Sequence, residues 1–189
     1  MDAYTRSFTL ERADAAELFH CMQEAAGEQL RIVTMPGKGR LGLYPRRFEL
    51  WSGDERIGAA RSVWAIINAE TRSMAALSDA PLSGETERQS LRMDSIPAPD
   101  GGESFRFAPA AEYIDRNGHM NNAAYLAALA EYLPENSGFG LSILYHREIM
   151  PGDEVTVHWQ DTDGARLLQG TVGDEECFRL SYSAAVSPA

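Results

Sequence analysis

One stretch, Tyr113 to Tyr125, holds side chains that could carry out acid and base chemistry. Asp115, Asn117, His119 and Asn121 occupy alternate positions in a polar loop that leads into an apolar segment. If that segment is a helix, its first backbone N–H groups and its dipole could polarise a carbonyl and stabilise an oxyanion. The alternative is that Asn121 or Asn122 only caps the helix and that the others bond locally. We favour capping for Asn122, and chemistry for Asp115, Asn117 and His119 together.

The elements around this loop predict an α+β layout. The apolar segment predicts a buried helix from about Asn121 to Leu133, ended by Pro134. Alternating segments and turn residues predict one strand before the helix and four after it. These are Glu103 to Pro109, Leu141 to Ile149, Glu154 to Asp161, Ala165 to Val172 and Cys177 to Ala185. A sheet wrapped around its own helix is the simplest arrangement of these elements.

The first part of the chain repeats this theme. A strand from Tyr4 to Leu10 precedes a helix predicted to start at the capping box Asp14-Ala-Ala-Glu17. Arg46 to Trp51 and Ile57 to Asn68 then form a predicted β-hairpin. We therefore predict three parts. They are an N-terminal domain at 1–72, a linker at 73–102 rich in Pro and Gly, and a C-terminal domain at 103–189.

Composition narrows the class of protein. The 189 residues are 44% hydrophobic and 24% charged, as in ordinary globular domains. A formal charge of -11 argues against nucleic acid as a partner, because phosphate backbones are bound by clustered cations. We find no apolar run of membrane-spanning length and no secretion signal, so we expect a cytoplasmic protein that binds no membrane. Cys21 and Cys177 are expected to be two small buried thiols.

The glycines of Gly37-Lys-Gly39-Arg-Leu-Gly42 have the spacing of a dinucleotide-binding loop, and Arg31 to Met35 before them could be a strand. Extended chain follows them instead of a helix, so we interpret them as a hairpin turn.

At Asp115-Arg-Asn117-Gly-His119-Met-Asn121-Asn122-Ala-Ala-Tyr125 the chain resembles the acyl-acyl-carrier-protein (acyl-ACP) thioesterases of plants and bacteria. That family carries Asp-x-Asn-x-His-x-Asn-Asn-x-x-Tyr. Further likenesses are Tyr145-His-Arg-Glu148, Gln23-Glu-Ala-Ala-Gly27 and a segment from Trp64 to Arg72. The resemblance implies a double hotdog fold, in which antiparallel sheets each wrap around a central helix. The first hotdog is shortened here, because the strand and Pro-Gly turn that usually follow its helix are missing.

The resemblance also implies the site and its reaction, the release of fatty acid from acyl carrier protein in fatty acid biosynthesis. Asp115, Asn117, His119 and Glu148 would be the catalytic set, and Asn121 and Tyr125 would bind substrate. Asp115 would attack the thioester or activate water, Asn117 and His119 would position the reacting groups, and Glu148 would hold or activate water. Spacing does not decide between the two carboxylates. Ile149 stands where some members have a cysteine, so a thiol nucleophile is not required.

No metal or organic cofactor is needed for this chemistry. The expected partner is acyl carrier protein or acyl-CoA, and association into a homodimer is left open. Three other functions stay open: a hotdog acyl-CoA thioesterase, a catalytically silent acyl-binding protein and, less favoured, a hydratase or dehydratase on the same fold. An acidic carrier protein would need a basic docking face. The densest candidates for such a face are Arg31, Lys38, Arg40, Arg46 and Arg47, although a solvated strand face explains them equally well.

Strand alternation makes a further prediction about Glu148. If Leu141 to Ile149 is one strand, then His146 and Glu148 point to the same face. We interpret His146 as a partly buried strand histidine, and we assign no role to His20 or His158.

Overall fold

A computed structural model describes residues 2–12, 30–40, 42–67, 88–92, 95–134 and 139–184. Its contacts divide the chain into two compact units. The first comprises 1–94 with 136–140 and 185–189, and the second comprises 95–135 with 141–184. The helix predicted to start at Asp14 and most of the predicted linker lie outside the described residues. The division into two hotdog domains joined by a linker stays a prediction.

The described residues of the first unit form four strands in the spatial order β2-β3-β4-β1, each antiparallel to its neighbour. Their bounds are β1 Asp2–Arg12, β2 Leu30–Pro36, β3 Leu43–Ser52 and β4 Glu55–Ile67. The predicted β3-β4 hairpin is confirmed, and Gly53, at its two-residue tip, has a positive φ of 56°. The prediction that the glycines from Gly37 onward form a turn is also confirmed, because β2 and β3 form a hairpin across them.

Among its described residues, the second unit holds one α-helix and five strands in the order β6-β9-β8-β7-β5, with β6 belonging to this unit from Leu141 onward. The strands are β5 Glu103–Phe107, β6 Phe139–Tyr145, β7 Val155–Asp161, β8 Arg166–Val172 and β9 Glu175–Ala184. The helix is α1 Asn122–Leu129, followed by a 3₁₀ turn at Ala130–Tyr132. The predicted α+β class is confirmed. No helix among the described residues is long and apolar enough to cross a bilayer.

Helix α1 packs on the sheet through aromatic contacts. The Tyr125 ring meets Tyr145 of β6 and Phe178 of β9 edge to face, at centroid distances of 5.0 and 5.4 Å. The Tyr145 hydroxyl donates a hydrogen bond to the Asn122 carbonyl (3.0 Å). Buried aliphatic residues such as Ile143 and Leu168 continue this core across the strands. The start of α1 is therefore held close to the end of β6.

The far end of α1 is also fixed. The Tyr132 ring stacks on Phe105 of β5, and the Tyr132 carbonyl accepts a hydrogen bond from Arg166 of β8 (2.6 Å). Arg166 is itself held by Asp161 through two bonds of 2.7 Å. The α-helix ends at Leu129, and the last turn before Pro134 is a 3₁₀ turn, so the α-helix is shorter than the predicted helix to Leu133.

The predicted burial of the helix holds on one side only. Ala124, Tyr125 and Leu129 are buried against the sheet, but Ala123 and Ala127 on the other side are exposed. A segment rich in alanine looks apolar all round, although only its larger side chains bury much surface.

Candidate active site

The polar loop before α1 closes on itself like a short hairpin. Ile114 and Met120 pair as an antiparallel bridge, and the Asp115 N–H donates to the His119 carbonyl (2.9 Å). Gly118, with a φ of 84°, makes the turn between them. The closure places Asp115 and His119 on adjacent strands of one loop, which is why residues four apart in sequence become neighbours.

The Asp115 carboxylate is held by Asn117. Oδ1 accepts from the Asn117 backbone N–H (2.8 Å) and Oδ2 from the Asn117 side-chain amide (3.3 Å). This is the local turn that Asp side chains favour, and it fixes the orientation of the carboxylate. Asn117 thus lies directly against Asp115, with its amide N–H groups pointing at the acid.

His119 lies between two carboxylates. Its Nδ1 is 3.9 Å from Asp115 Oδ1, and its Nε2 is 3.7 Å from Glu148 Oε1. The side chain of His119 is only 12% exposed, and those of Asp115 and Glu148 are 20% and 21% exposed. Nδ1 also lies 3.3 Å from the Met120 carbonyl oxygen, to which it donates in the tautomer that carries the proton on Nδ1. Nε2 is the ring nitrogen that faces Glu148.

Glu148 reaches His119 because β6 ends early. The His146 and Arg147 N–H groups both donate to the Cys177 carbonyl (2.8 and 3.2 Å), so two residues face one across the ladder. Such a bulge breaks the alternation of side chains. After it, the Met120 N–H donates to the Ile149 carbonyl (2.8 Å) and ties the Glu148 segment to the loop of His119.

The bulge makes the prediction for His146 wrong. This side chain does not share a face with Glu148 but pairs with Glu176 of β9, with His146 Nε2 3.1 Å from Glu176 Oε1. At 44% side-chain exposure it is also more open than a buried strand histidine. The predicted strand to Ile149 ends at Tyr145 for the same reason.

Sequence reasoning missed the role of Arg147 beside Glu148. Its guanidinium contacts Asp153 (3.3 Å), Glu175 (2.9 Å) and the Cys177 sulfur (3.7 Å). Asp153 also accepts from the Met150 N–H (2.9 Å), which closes the turn after Glu148. The turn residues Pro151-Gly-Asp153 could have indicated this arrangement, because an Asp side chain in a turn often accepts a hydrogen bond from a nearby backbone N–H.

Two pKa shifts describe this neighbourhood. The contact with Cys177 and the carboxylates of Asp153 and Glu175 raise the pKa of Arg147, so the guanidinium stays charged. Burial raises the pKa of the Cys177 thiol, against a weaker opposing effect of Arg147. Cys177 is a buried free thiol, as predicted, and at neutral pH it is a neutral side chain.

The two residues predicted to bind substrate lie at the start of α1. The Asn121 side chain accepts from the Ala123 N–H (2.9 Å) and so caps the helix. Tyr125 is buried in the core, with 2% of its surface exposed. Their predicted contact with substrate stays a prediction.

A surface depression of about 330 Å³ adjoins Asp115. Its lining combines loop residues, among them Tyr113 and Asp115, with the small exposed residues Ala123 and Ala127 of α1. An acid therefore stands at the edge of a partly apolar recess.

Known structures share this fold. An acyl-ACP thioesterase from Bacteroides thetaiotaomicron superposes with a TM-score of 0.76 at 18% identity, covering 96% of this chain and 75% of that one. A 12:0-ACP thioesterase from Umbellularia californica gives 0.75 at 14% identity, covering 96% and 74%. A MaoC-like dehydratase from Phytophthora capsici gives 0.58 at 13% identity, covering 97% and 72%. A comparison with curated proteins finds no match.

The fold is that of the hotdog thioesterases, as the resemblance implied. Within that class, residues 99–183 match the family model of the acyl-ACP thioesterase C-terminal domain. This matched part holds Asp115, Asn117, His119 and Glu148.

Proposed function

We propose that this protein hydrolyses acyl thioesters and that its substrate is a fatty acyl chain on acyl carrier protein. The observation that carries the proposal is the arrangement of His119, with one ring nitrogen 3.9 Å from Asp115 and the other 3.7 Å from Glu148. The match of 99–183 to the family model of the acyl-ACP thioesterase C-terminal domain supports the same reaction.

The chemistry needs a base for water, groups that orient the thioester and stabilisation of an oxyanion. A carboxylate removes a proton from water as the water oxygen bonds to the thioester carbon. The tetrahedral intermediate then collapses, the carbon–sulfur bond breaks, and the thiolate takes up a proton. The products are a carboxylic acid and the free thiol of the carrier.

The described contacts favour particular roles. Glu148 is the carboxylate next to Nε2 of His119, which suits a base that holds water and passes its proton to the imidazole. Asp115 is oriented by Asn117 at the edge of the recess beside α1, which suits contact with the thioester itself. Asn117 and His119 position these acids.

The experiment is a rate measurement with one acyl chain on two carriers, acyl carrier protein and coenzyme A. We expect hydrolysis of both, with the higher kcat/KM for the carrier protein. Replacement of His119 by Ala should lower kcat/KM by about 10²- to 10⁴-fold, the usual contribution of a proton-transfer group. The control is His158→Ala, since His158 is an exposed residue of β7.

The outcomes separate the alternatives. A higher kcat/KM with coenzyme A identifies an acyl-CoA thioesterase. Fatty acid bound to the purified protein without any hydrolysis identifies an acyl-binding protein. Unchanged turnover in His119→Ala would remove the catalytic assignment.

A further inference from the structure

Polar side chains from three segments of the second unit meet at Glu176 of β9. Glu176 Oε1 is 3.1 Å from His146 Nε2. Glu176 Oε2 accepts hydrogen bonds from Gln169 Nε2 of β8 and from Arg179 Nε (2.9 Å). One carboxylate therefore joins β8, β9 and the segment that follows β6.

The Glu176 carboxylate is held in place by other groups than His146. Arg179 binds it through Nε and through a second nitrogen at 2.9 Å, and the remaining guanidinium nitrogen donates to the Ile96 carbonyl (3.0 Å). Ile96 is buried, with 3% of its surface exposed. Arg179 and Gln169 thus fix the carboxylate against the sheet, so the more exposed His146 meets an acceptor that is already oriented.

The ladder between β8 and β9 is irregular at the same place. Gly170 pairs with Phe178 and Thr171 pairs with Glu176, so Cys177 is an extra residue of β9. Such a bulge interrupts the regular ladder. Backbone pairing therefore fixes this part of β9 less firmly than a regular ladder would, and side-chain contacts contribute more to its geometry.

The segment after β6 is bulged against the same residue. The backbone N–H groups of His146 and Arg147 both donate to the Cys177 carbonyl. The two side chains bind successive acids of β9, His146 to Glu176 and Arg147 to Glu175 (2.9 Å). Both bulged residues are therefore tied to β9 by a side chain as well as by the backbone.

Glu148 is the next residue along this segment, and its Oε1 lies 3.7 Å from His119 Nε2. We propose that His146 is a positioning residue for Glu148. Its contact with the fixed Glu176 carboxylate holds the bulge, and the bulge holds Glu148 beside His119. A displacement of about 1 Å at a reacting group can cost rate heavily. Glu148 is catalytic only if the proposed hydrolysis holds, so the effect on rate rests on that proposed function, whereas the effect on the contact with His119 does not.

The contact between Glu148 and His119 can be followed without any substrate. Nuclear magnetic resonance of the full chain gives the ring signals of the four histidines, and His119→Ala identifies those of His119. We expect His146→Ala to shift the His119 ring signals in the direction in which Glu148→Gln shifts them, because both variants weaken the contact at Nε2. His146→Gln, which places an amide N–H near the position of the imidazole Nε2, should restore most of the wild-type signal. His158→Ala, at an exposed position of β7, is the control.

Steady-state kinetics measure the consequence for hydrolysis. We expect His146→Ala to lower kcat for an acyl thioester about three- to tenfold with little change in KM. The melting temperature should stay close to that of the wild type, because a partly exposed pair contributes little to stability. His146→Gln should recover most of the lost rate. In a Glu148→Gln background, His146→Ala should have no further effect, since the group that it positions is already disabled.

The results separate positioning from a structural role. Unchanged His119 signals or an unchanged kcat in His146→Ala overturns the proposal. A loss of rate that is as large in the Glu148→Gln background as in the wild type also overturns it, because His146 would then act by another route. A wild-type protein that hydrolyses no acyl thioester removes the proposed function instead, and the His119 signals then still decide whether His146 positions Glu148.

Discussion

Asp115 combines two properties that a single substitution can separate. Its carboxylate accepts the Asn117 backbone N–H, which shapes the loop, and it carries the charge that faces His119. An asparagine at this position keeps an oxygen for the backbone bond but loses the charge. The loop should therefore survive the replacement, and the chemistry should not.

We accordingly predict that Asp115→Asn lowers kcat/KM for an acyl thioester by about 10²-fold or more while leaving the melting temperature close to that of the wild type. Steady-state kinetics and thermal unfolding give the two readings. Asp163→Asn, in an exposed turn, is the matched control. Turnover like that of the wild type in Asp115→Asn would mean that the charge has no part in the reaction.

The sequence alone predicted the motif from Asp115 to His119, but it predicted the position of Glu148 only in part. The spacing of Asp115, Asn117 and His119 predicted a cluster, and the loop closure brings these residues together. The contact of Glu148 with His119 depends on a bulge opposite Cys177, which no alternation pattern reveals. The same bulge places His146 beside Glu176, so the predicted position of His146 is wrong.

The segment that carries Glu148 is positioned by Arg147. This side chain spans from the turn at Asp153 to Glu175 and Cys177 at the start of β9. Removing it frees the segment without touching the reacting groups. If Glu148 takes part in hydrolysis as proposed, Arg147 is a positioning residue, because small displacements of a catalytic group cost rate.

We predict that Arg147→Ala lowers kcat about tenfold or more with a smaller change in KM, and that Arg147→Lys restores part of the loss. The control is Arg106→Ala, which breaks an exposed pair with Glu154 that contributes little. Equal effects of Arg147→Ala and Arg147→Lys would argue against positioning by the guanidinium charge.

The start of α1 depends on Asn121, whose side chain bonds the Ala123 N–H. We predict that Asn121→Ala destabilises the protein by about 1 kcal/mol and that Asn121→Ser, which can still cap, does not. Asn122→Ala is the control, because the carbonyl of Asn122, and not its side chain, accepts from Tyr145. Thermal unfolding measures both. A raised KM in the serine variant as well would support the predicted contact of Asn121 with substrate.

The sequence predicted the strands well and the helix less well. Turn residues such as Gly53 and Gly152 mark where strands reverse, and alternation marks their lengths. Just after the end of α1, Tyr132 stacks on Phe105, a residue of strand β5 that is not adjacent in sequence. Contacts of that kind have no local signature.

For the whole molecule, the core of the second unit depends on one glycine in β8. Gly170 pairs with Phe178 across β8 and β9, and a Cβ at this position would run into the Phe178 ring. That ring packs against Tyr125, so a shift would pass to the helix that begins at the active-site loop. Close packing of this kind tolerates little added volume.

Gly170→Ala should therefore destabilise the fold by about 1–3 kcal/mol. The melting temperature should fall by roughly 2–4 °C for each kcal/mol. Gly164→Ala is the control, since no atom lies within 4 Å of a Cβ there. A Gly170→Ala protein as stable as the wild type would show that the Phe178 ring can move aside freely.

Charge distribution is the second property of the molecule as a whole. The net charge of -11 describes the whole chain, whereas the position of each charge in β3 and β4 depends on the strand register. The sequence contains a group of basic residues, but only the pairing of β3 with β4 shows that Arg47 lies opposite Arg61.

The central claim is that His119 and Glu148 act as one unit in hydrolysis, and a double-mutant cycle tests it most directly. We would measure kcat/KM for acyl-ACP hydrolysis with the wild type, His119→Ala, Glu148→Gln and the double variant. Residues that share one step lose rate non-additively. The account predicts that the double variant is about as slow as the slower single variant. Losses that multiply would show that the two residues, 3.7 Å apart, act independently and would contradict it.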